Sequence, residues 1–259
     1  MHRVLIIAGS DSGGGAGIQA DIKAVTCLGG YAMTAVTAIT VQNTLGVSDV
    51  FPIPPGIIVA QAAACLDDIG ADAIKTGMLA DIDVMEAVSL VIEGAKVFTV
   101  IDPVMIAKGG HALMKHHAVD AMKALLLPLA DLLTPNTPEA TALTGIAVES
   151  EADMQKAGEA LLAMGAKNVL IKGGHLSGPE VVDLLITPKR THRFASERID
   201  TQQTHGTGCT LASACAALTR DARPLEETVG LARDYLVGAI LMAPHLGEGH
   251  GPLRHNWLL

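Results

Sequence analysis

One stretch organises the rest of the sequence: THGTGCT at residues 204–210, which runs directly into the small-residue segment LASACAAL. Gly206 and Gly208 leave backbone N–H groups unshielded, and a helix that begins there adds unpaired donors and the positive end of its dipole. These features predict an anion site. A thiol in the first turn of such a helix has a lowered pKa, so we expect Cys209 to ionise near neutral pH. The alternative is an ordinary turn, capped by Thr207, before a buried helix.

The composition is that of a globular chain and argues against several classes of partner. The 259 residues are 49% hydrophobic and 17% charged, with a net charge of -9, and they contain no long basic cluster that would favour nucleic acid. No apolar run approaches the roughly 18 residues of a membrane span. The four cysteines lack Cys-x-x-Cys spacing, which favours reduced thiols and a cytoplasmic protein. We expect most of the ten histidines, including His116 and His117, on the surface or in loops rather than around a metal.

Short apolar runs alternate with longer helical stretches, which is the pattern of a mostly parallel sheet buried on both faces. Ser150 is a suitable N-cap for one helix, and Pro54-Pro55 is a suitable start for another. The predicted strands cover residues 4–8, 32–41, 71–75, 97–101, 132–134 and 169–172. The predicted helices cover residues 56–68, 151–164 and 225–242, with a short one that opens at Thr137.

One segment departs from this alternation. Residues 181–186 and 192–194 flank a Pro-Lys-Arg turn, so we predict a small β-hairpin there instead of another strand-helix-strand unit. The sequence contains no linker, repeat or low-complexity tract. We therefore predict a single α/β domain over residues 1–259.

Ligands of parallel sheets bind outside the carboxyl ends of the strands, so the segments that follow the predicted strands are the candidate site. Together these segments bring glycine, carboxylate, amide and lysine groups to one rim of the sheet, at the carboxyl ends of its strands. The packing of a hydrophobic core does not require such a collection of polar groups. They read GSDSGGGAGIQAD at 9–21, QNT at 42–44, TGM at 76–78, DPV at 102–104, PNTPE at 135–139 and GGH at 173–175.

The first of these loops is rich in glycine, so we compare it with the known phosphate-binding spacings. A P-loop is excluded because the first lysine, Lys23, lies inside the following helix. Residues 15–20 match the permissive G-x-G-x-x-A form of a dinucleotide site, but Thr40-Val41-Gln42 stands where that site needs an acidic residue. A dinucleotide-dependent oxidoreductase is therefore a remote alternative.

Four side chains on the rim have both a functional and an ordinary interpretation. Asp102 suits Mg²⁺ or a simple Asp-Pro turn, and Glu139 suits a metal site or a favourable charge at a helix N-terminus. Lys172 ends a buried strand, where its ammonium suits a phosphate, or else it is a surface lysine. Gln42 offers a donor and an acceptor together, which suits the edge of a heterocycle or a polar strand end.

Three groups of motifs together resemble one family. The stretch at 9–21, the TPN-x-x-E segment at 134–139, and KGGH at 172–175 followed by THGTGC at 204–209 closely resemble hydroxymethylpyrimidine/phosphomethylpyrimidine kinases of thiamine biosynthesis, in the ribokinase-like superfamily. The resemblance extends from Val4 to the C-terminus. It implies a three-layer αβα sandwich with a central, mostly parallel sheet and a small β-hairpin excursion.

The resemblance also implies an activity. The expected enzyme uses ATP and Mg²⁺ to phosphorylate 4-amino-5-hydroxymethyl-2-methylpyrimidine to its monophosphate and then to the diphosphate, and it is a homodimer. A pyridoxal kinase of the same branch, a dual activity, and a non-catalytic pyrimidine or nucleotide sensor are the alternatives.

Residue roles follow from the same resemblance. Gln42 is the expected partner of the pyrimidine edge, and Cys209 occupies the position of the catalytic base, where the wider superfamily usually has an aspartate. Asp102 and Glu139 are the expected metal side. The substrate pocket is completed by Ala16, Thr40 and Met78, the nucleotide side by Asn136, Glu139, Lys172 and Thr207, and the anion hole over the transferred phosphoryl group by Gly206, Thr207 and Gly208.

Overall fold

The computed structural model describes residues 1–105, 118–220 and 223–259. Within these ranges the strands are β1 (Arg3–Asp11), β2 (Tyr31–Asn43), β3 (Gly46–Pro52), β4 (Ala73–Thr76), β5 (Phe98–Ile101), β6 (Leu132–Leu133), β7 (Val169–Lys172), β8 (Glu180–Ile186) and β9 (Thr191–Glu197). The helices are α1 (Gly17–Cys27), α2 (Pro55–Asp68), α3 (Ile82–Ala95), α4 (Ala118–Ala121), α5 (Thr137–Thr144), α6 (Glu151–Ala163), α7 (Thr207–Leu218) and α8 (Leu225–Leu241). A π-helical turn at Met122–Leu126 and a 3-10 turn at Leu127–Leu129 follow α4.

All of these strands form one sheet in the order β3-β2-β1-β4-β5-β6-β7-β8-β9. Six neighbouring strands pair in parallel, in the order β2, β1, β4, β5, β6 and β7. At the two edges of the sheet, β3 pairs antiparallel with β2, and β8 pairs antiparallel with both β7 and β9. The predicted hairpin is confirmed as β8 and β9, and it extends the main sheet instead of standing apart from it. Strand β3 was not predicted, because it is an edge strand in which only Val47 is buried and the alternation of apolar residues is weak.

Alternating side chains of the buried strands feed two separate cores, as the period of a strand requires. In β1, Leu5 and Ile7 face the core under α2 to α6, whereas Val4 and Ile6 face the core under α1, α7 and α8. The three-layer architecture with a mostly parallel central sheet is therefore confirmed.

The local signals for helix ends are also confirmed. Helix α2 begins at Pro55, and the Ser150 hydroxyl accepts a hydrogen bond from the Asp153 backbone N–H at the start of α6. Gly165 lies just beyond α6 with a φ of 116°, a conformation that favours glycine. Among the described residues, no helix is both long and apolar enough to cross a membrane.

Two histidines lie outside helices and strands, as expected for most of them, but are not on the surface. His205 and His255 are buried, with 6% and 3% of their surface exposed, and both contact helix or loop residues of the candidate site region. His116 and His117 lie outside the described residues.

A buried ion pair connects the central sheet to the two helices that carry the glycine motifs. The Lys75 ammonium of β4 lies 2.9 Å from both carboxylate oxygens of Asp21 in α1, and the Ser213 hydroxyl of α7 donates to Asp21 at 2.7 Å. Both charged side chains are fully buried. Burial opposes the charge on Lys75, but the nearby Asp21 carboxylate outweighs it and raises the pKa of the ammonium.

We expect the Lys75→Met variant to lose about 3–5 kcal/mol of unfolding free energy, because it leaves the Asp21 carboxylate buried without a cation. Urea denaturation followed by circular dichroism measures this loss, and wild type should unfold in one transition if the chain is a single domain. The control is Lys156→Met, which removes an exposed pair with Asp153 and should cost about 0.5 kcal/mol or less. Equal losses in the two variants would show that the buried pair is not stabilising.

Candidate active site

The loop between β1 and α1 is held by one carboxylate. Asp11 accepts backbone N–H hydrogen bonds from Gly13 at 2.8 Å, Gly15 at 3.0 Å and Ala16 at 2.8 Å. Its side chain is almost fully buried. Burial alone would raise the pKa of Asp11, but the hydrogen bonds from His205 and from the backbone N–H groups of Ala16 and Gly13 hold that pKa below its ordinary value. The carboxylate therefore stays ionised and fixes the course of the loop.

The same carboxylate joins this loop to the second glycine motif. His205 Nε2 lies 2.8 Å from Asp11 Oδ2, and a Cβ added to Gly15 would overlap the His205 ring. Gly206 has a φ of 83°, and a Cβ on it would overlap the Gly15 carbonyl oxygen. Only glycine fits this close approach of two backbones. Two motifs that lie about 190 residues apart in the sequence are thus packed directly against each other.

Helix α7 begins at this contact with no side chain over its first turn. Its N-cap is Gly206, which supplies no capping hydrogen bond, so the alternative of a Thr207 cap is wrong. The Thr207 hydroxyl instead donates to the Thr204 carbonyl at 3.2 Å. A cation lies close by, since a Cβ on Gly208 would be 3.2 Å from Lys172 Nζ. Uncapped N–H donors beside an ammonium form a site suited to an anion.

Cys209 is half-buried in the first turn of α7, next to the start of α1. Burial raises the pKa of its thiol to about 11, although the Lys75 ammonium and a hydrogen bond from the Gly17 backbone N–H both lower it. The expectation of a lowered pKa is therefore wrong. The position at a helix N-terminus is as expected, but the cost of burying a thiolate exceeds what that position contributes.

Across the α7 N-terminus, Lys172 bridges two carboxylates. Its Nζ lies 2.8 Å from Asp102 Oδ1 and 4.0 Å from Glu139 Oε2. Burial opposes the charge on Lys172, but these two carboxylates outweigh it and raise the pKa of the ammonium. Lys172 is thus a permanent cation at the end of β7, in line with the functional interpretation of this residue.

Glu139 is the charged residue at a helix N-terminus that one of its two interpretations requires. With Asn136 it forms a capping box at the start of α5, in which the Asn136 N–H donates to Glu139 at 2.8 Å and the Glu139 N–H donates back at 2.9 Å. Burial raises the pKa of Glu139 to about 7, against the opposing effect of Lys172. The carboxyl group therefore changes charge within the physiological range of pH.

The carboxylates of the site suit a metal ion that takes most of its ligands from water and from a bound phosphate group, and only one or two from the protein. Within residues 1–105, 118–220 and 223–259, no cluster of three or more histidine, cysteine, aspartate or glutamate side chains could hold an ion by itself. Asp102 and Glu139 are both engaged by Lys172, and Asp102 also accepts from the Thr134 hydroxyl at 3.1 Å. Mg²⁺ commonly takes one or two carboxylates together with water and phosphate oxygens, which these two residues suit.

The residues expected around the acceptor lie on the other side of the glycine contact. The Gln42 amide is 3.3 Å from His205 Nε2 and 3.1 Å from the Thr40 hydroxyl. Ala16 belongs to the loop that Asp11 holds, and the Met78 sulfur would be 3.3 Å from a Cβ on Gly9. The structure thus gathers the expected residues into an amide-bearing side and a lysine-carboxylate side, with the start of α7 between them.

Sequence reasoning missed three residues of this region. Asp11 and His205 stand inside the two glycine motifs, but the sequence analysis assigned roles there only to other residues. The signal for Lys75 was a lysine at the end of an otherwise apolar predicted strand, which requires a buried partner.

The fold and the site together define a ribokinase-like kinase of small molecules. The same architecture occurs in the pyridoxal kinase of Bacillus subtilis, solved as an ADP complex, with a TM-score of 0.92 and 39% sequence identity. The match covers 100% of this chain and 98% of that one.

Sequence comparison assigns the family. A family model described as phosphomethylpyrimidine kinase matches residues 11–254. A hydroxymethylpyrimidine/phosphomethylpyrimidine kinase of Streptomyces coelicolor is 44% identical over 99% of this chain and 95% of its own length. The thiamine biosynthesis bifunctional protein ThiED of Geobacter sulfurreducens is 48% identical over 97% of this chain, which spans only 52% of that protein. The chain belongs to the phosphomethylpyrimidine kinase family.

We expect activity to follow the ionisation of Glu139. Below about pH 7 the protonated carboxyl loses the charge that faces Lys172, so kcat/KM for ATP should fall as the pH decreases through that value. In Glu139→Gln the value at pH 8 should be lower and this inflection absent, whereas Glu149→Gln, at an exposed position, should behave as wild type. Persistence of the inflection in Glu139→Gln would assign it to another group.

Proposed function

We propose that this chain is an ATP-dependent kinase that phosphorylates 4-amino-5-hydroxymethyl-2-methylpyrimidine to the monophosphate and then to the diphosphate, in thiamine diphosphate biosynthesis. The family assignment and the names of its relatives support the substrate. The observation that carries the proposal is the direct packing of Gly206 on Gly15, because it sets an amide-bearing side and a lysine-bearing side around one helix N-terminus.

On the acceptor side, Gln42 binds the edge of the heterocycle, and Ala16, Thr40 and Met78 line the pocket. Thr40 and Met78 are buried, whereas Ala16 and Gln42 are half-buried. The half-buried Gln42 amide offers a hydrogen-bond donor and an acceptor beside buried side chains, which suits a flat, methylated ring.

On the phosphoryl side, the backbone N–H groups of Gly206, Thr207 and Gly208 and the Lys172 ammonium stabilise charge on the transferred group. Phosphoryl transfer depends mainly on positioning and on stabilising this charge. The Thr207 N–H makes a long hydrogen bond of 3.4 Å to the Thr204 carbonyl oxygen, and it exchanges this bond for a phosphate oxygen. Asn136 and Thr207 lie at the two helix N-termini beside Lys172 and bind the nucleotide. A Mg²⁺ ion, when bound through Asp102 and Glu139, neutralises charge on the phosphate oxygens.

Cys209 acts on the proton of the substrate hydroxyl. The resting thiol is protonated because its pKa is about 11. It acts as a base only after it has released this proton to solvent, and the resulting thiolate is stabilised by the Lys75 ammonium and the Gly17 N–H. In a loose transition state the hydroxyl needs to lose its proton only late, which relaxes the demand on the base. The proton then passes from the hydroxyl oxygen to the Cys209 thiolate as the new P–O bond forms, while the bond from the γ-phosphorus to the bridging oxygen breaks and ADP leaves.

Pyridoxal is the second candidate substrate, or a second substrate of the same site. The similarity to the Bacillus subtilis pyridoxal kinase over the whole chain supports this candidate. Pyridoxal also carries a methyl group and a hydroxymethyl group on a six-membered ring, so the same pocket could accept either ring.

The test is ATP consumption by the purified chain with hydroxymethylpyrimidine, its monophosphate and pyridoxal as separate acceptors. We expect turnover of both pyrimidines. Cys209→Ala should lose at least about 100-fold in kcat but still bind the pyrimidine, because loss of a general base removes that much catalysis without removing the pocket. Cys27→Ala, which changes a cysteine at the end of α1, is the matched control. Unchanged turnover in Cys209→Ala would remove this residue from the mechanism.

We also propose a cytoplasmic homodimer that associates through the exposed face of β2 and β3. Ile39 and Phe51 are direct cross-strand partners and are 50% and 65% exposed, and Val41 on the same face is 57% exposed. A contiguous apolar face on an edge pair of strands is a common site of self-association. The four cysteines are free thiols, as a reducing compartment maintains them.

The dimer proposal predicts that Phe51→Lys raises the dissociation constant at least about tenfold, because it places an unpaired charge among apolar side chains. Analytical ultracentrifugation over a range of concentrations measures the shift. Leu90→Lys, at another exposed apolar position on α3, should leave the dissociation constant unchanged. If both variants or neither shifts the equilibrium, the interface lies elsewhere.

A further inference from the structure

A buried ion pair lies beside the strand that carries Lys172. Asp183 of β8 is the direct cross-strand partner of Lys172 in the antiparallel pairing of β7 with β8. Arg233 of α8 donates from Nε to Asp183 Oδ2 at 2.7 Å, and both of these charged side chains are buried. Neither residue belongs to the motifs that indicate the site, so the roles assigned above leave this pair without a function.

The strand register places Lys172 and Asp183 on the same face of the sheet. Leu170 and Leu185 are cross-strand partners two residues earlier, and both belong to the core under α1, α7 and α8. Side chains two residues apart on a strand share a face, so Lys172 and Asp183 also lie on that face. Directly opposite residues of antiparallel strands have Cβ atoms about 5 Å apart, which a lysine side chain can span.

Lys172 is nevertheless paired with a carboxylate on its other side. Asp102 follows β5, and the strand order β5-β6-β7-β8 sets Asp102 and Asp183 on opposite sides of Lys172. The Lys172 ammonium lies 2.8 Å from Asp102 Oδ1, on the side of the α7 N-terminus. It thus stands between two carboxylates and pairs with the one that belongs to the site.

The contacts of Asp183 explain this choice. Its Oδ1 accepts the Gly173 N–H at 2.8 Å, and its Oδ2 accepts from Arg233. Arg233 is itself held in place, since its guanidinium contacts the Val181 carbonyl oxygen at 3.3 Å and lies 5.7 Å from the centre of the Phe194 ring. A guanidinium stays charged at every physiological pH, so the charge of Asp183 is neutralised and does not attract a second cation.

We propose that Arg233 is a positioning residue for phosphoryl transfer: it neutralises Asp183 and thereby leaves the Lys172 ammonium on the side of Asp102 and the α7 N-terminus. This inference rests on the proposed function, because it takes Lys172 as the cation that stabilises the transferred group.

The proposal makes the two partners of the ion pair unequal. Without Arg233, Asp183 is a buried carboxylate with no cation, which is strongly unfavourable, and the flexible Lys172 side chain turns to it. Without the charge on Asp183, nothing draws Lys172 away from the site. A pair that only supported the fold would instead make the two changes equivalent.

Three variants test this asymmetry in the ATP-dependent phosphorylation of hydroxymethylpyrimidine. Arg233→Met should lower kcat about 100-fold, the loss typical when one charge-stabilising group is removed from a transition state. Its KM for the pyrimidine should stay within about threefold of wild type, because Lys172 does not contact the acceptor. Asp183→Asn keeps an oxygen for the Gly173 N–H and should retain kcat within about threefold.

The double variant Arg233→Met/Asp183→Asn should recover kcat to within about fivefold of wild type, because no carboxylate charge remains to attract Lys172. Urea denaturation establishes that each variant is folded under the assay conditions. Equal losses of kcat in the two single variants, or no recovery in the double variant, would mean that the pair only supports the fold and would overturn the proposal.

The position of Lys172 is tested without any activity by crystal structures of the ligand-free wild type and Arg233→Met. We expect Lys172 Nζ within hydrogen-bonding distance of Asp183 in the variant and of Asp102 in wild type. Arg233→Gln, which keeps an amide N–H for Asp183 but no charge, should show the same movement and replaces Arg233→Met if that variant does not fold.

A Lys172 that stays on Asp102 in the variant overturns the inference even if the kinase is active. A chain that phosphorylates neither hydroxymethylpyrimidine nor its monophosphate overturns the proposed function, whereas the two crystal structures still decide whether Arg233 determines the position of Lys172.

Discussion

The site depends on the buried carboxylate of Asp11. The four residues Gly13 to Ala16, between β1 and α1, have no polar side chains that could hold the loop in place. Their backbone N–H groups must therefore find an acceptor. Asp11 supplies that acceptor to three of them, one at Oδ1 and two at Oδ2, and its Oδ2 also contacts His205. One group therefore determines both the shape of the first glycine loop and its distance from the second.

The two lysines around this contact are both paired with carboxylates. Lys75 is paired with Asp21, and Lys172 is shared between Asp102 and Glu139, so the site buries cations without leaving any of them unpaired. A buried cation that is already paired attracts an anion less strongly than a bare one, and the additional attraction must come from dipoles. The uncapped start of α7 supplies these dipoles, since it adds positive potential without adding a buried charge.

The sequence predicted most of the fold, because alternation of apolar residues and the signals at helix ends are local properties. It failed at β3, whose side chains are mostly exposed and whose place in the sheet is set by pairing with β2. The candidate site divides in the same way. Lys172, Glu139 and Gln42 stand at strand or helix ends that the pattern itself locates. The Asp11–His205 contact and the pKa of Cys209 depend on which distant segments meet and on how much water they exclude, and neither quantity can be read from local sequence.

The raised pKa of Cys209 is a consequence of the same packing that forms the site. Bringing α1 and α7 together closely enough for Gly17 to donate to the thiol also removes water from around the sulfur. A thiolate there would be a strong nucleophile in the resting enzyme and open to oxidation, whereas a protonated thiol reacts slowly with oxidants. Burial thus keeps the cysteine intact between turnovers, and the neighbouring Lys75 ammonium limits what burial adds to the pKa. The balance between these two effects, and not the helix terminus alone, sets the reactivity of Cys209.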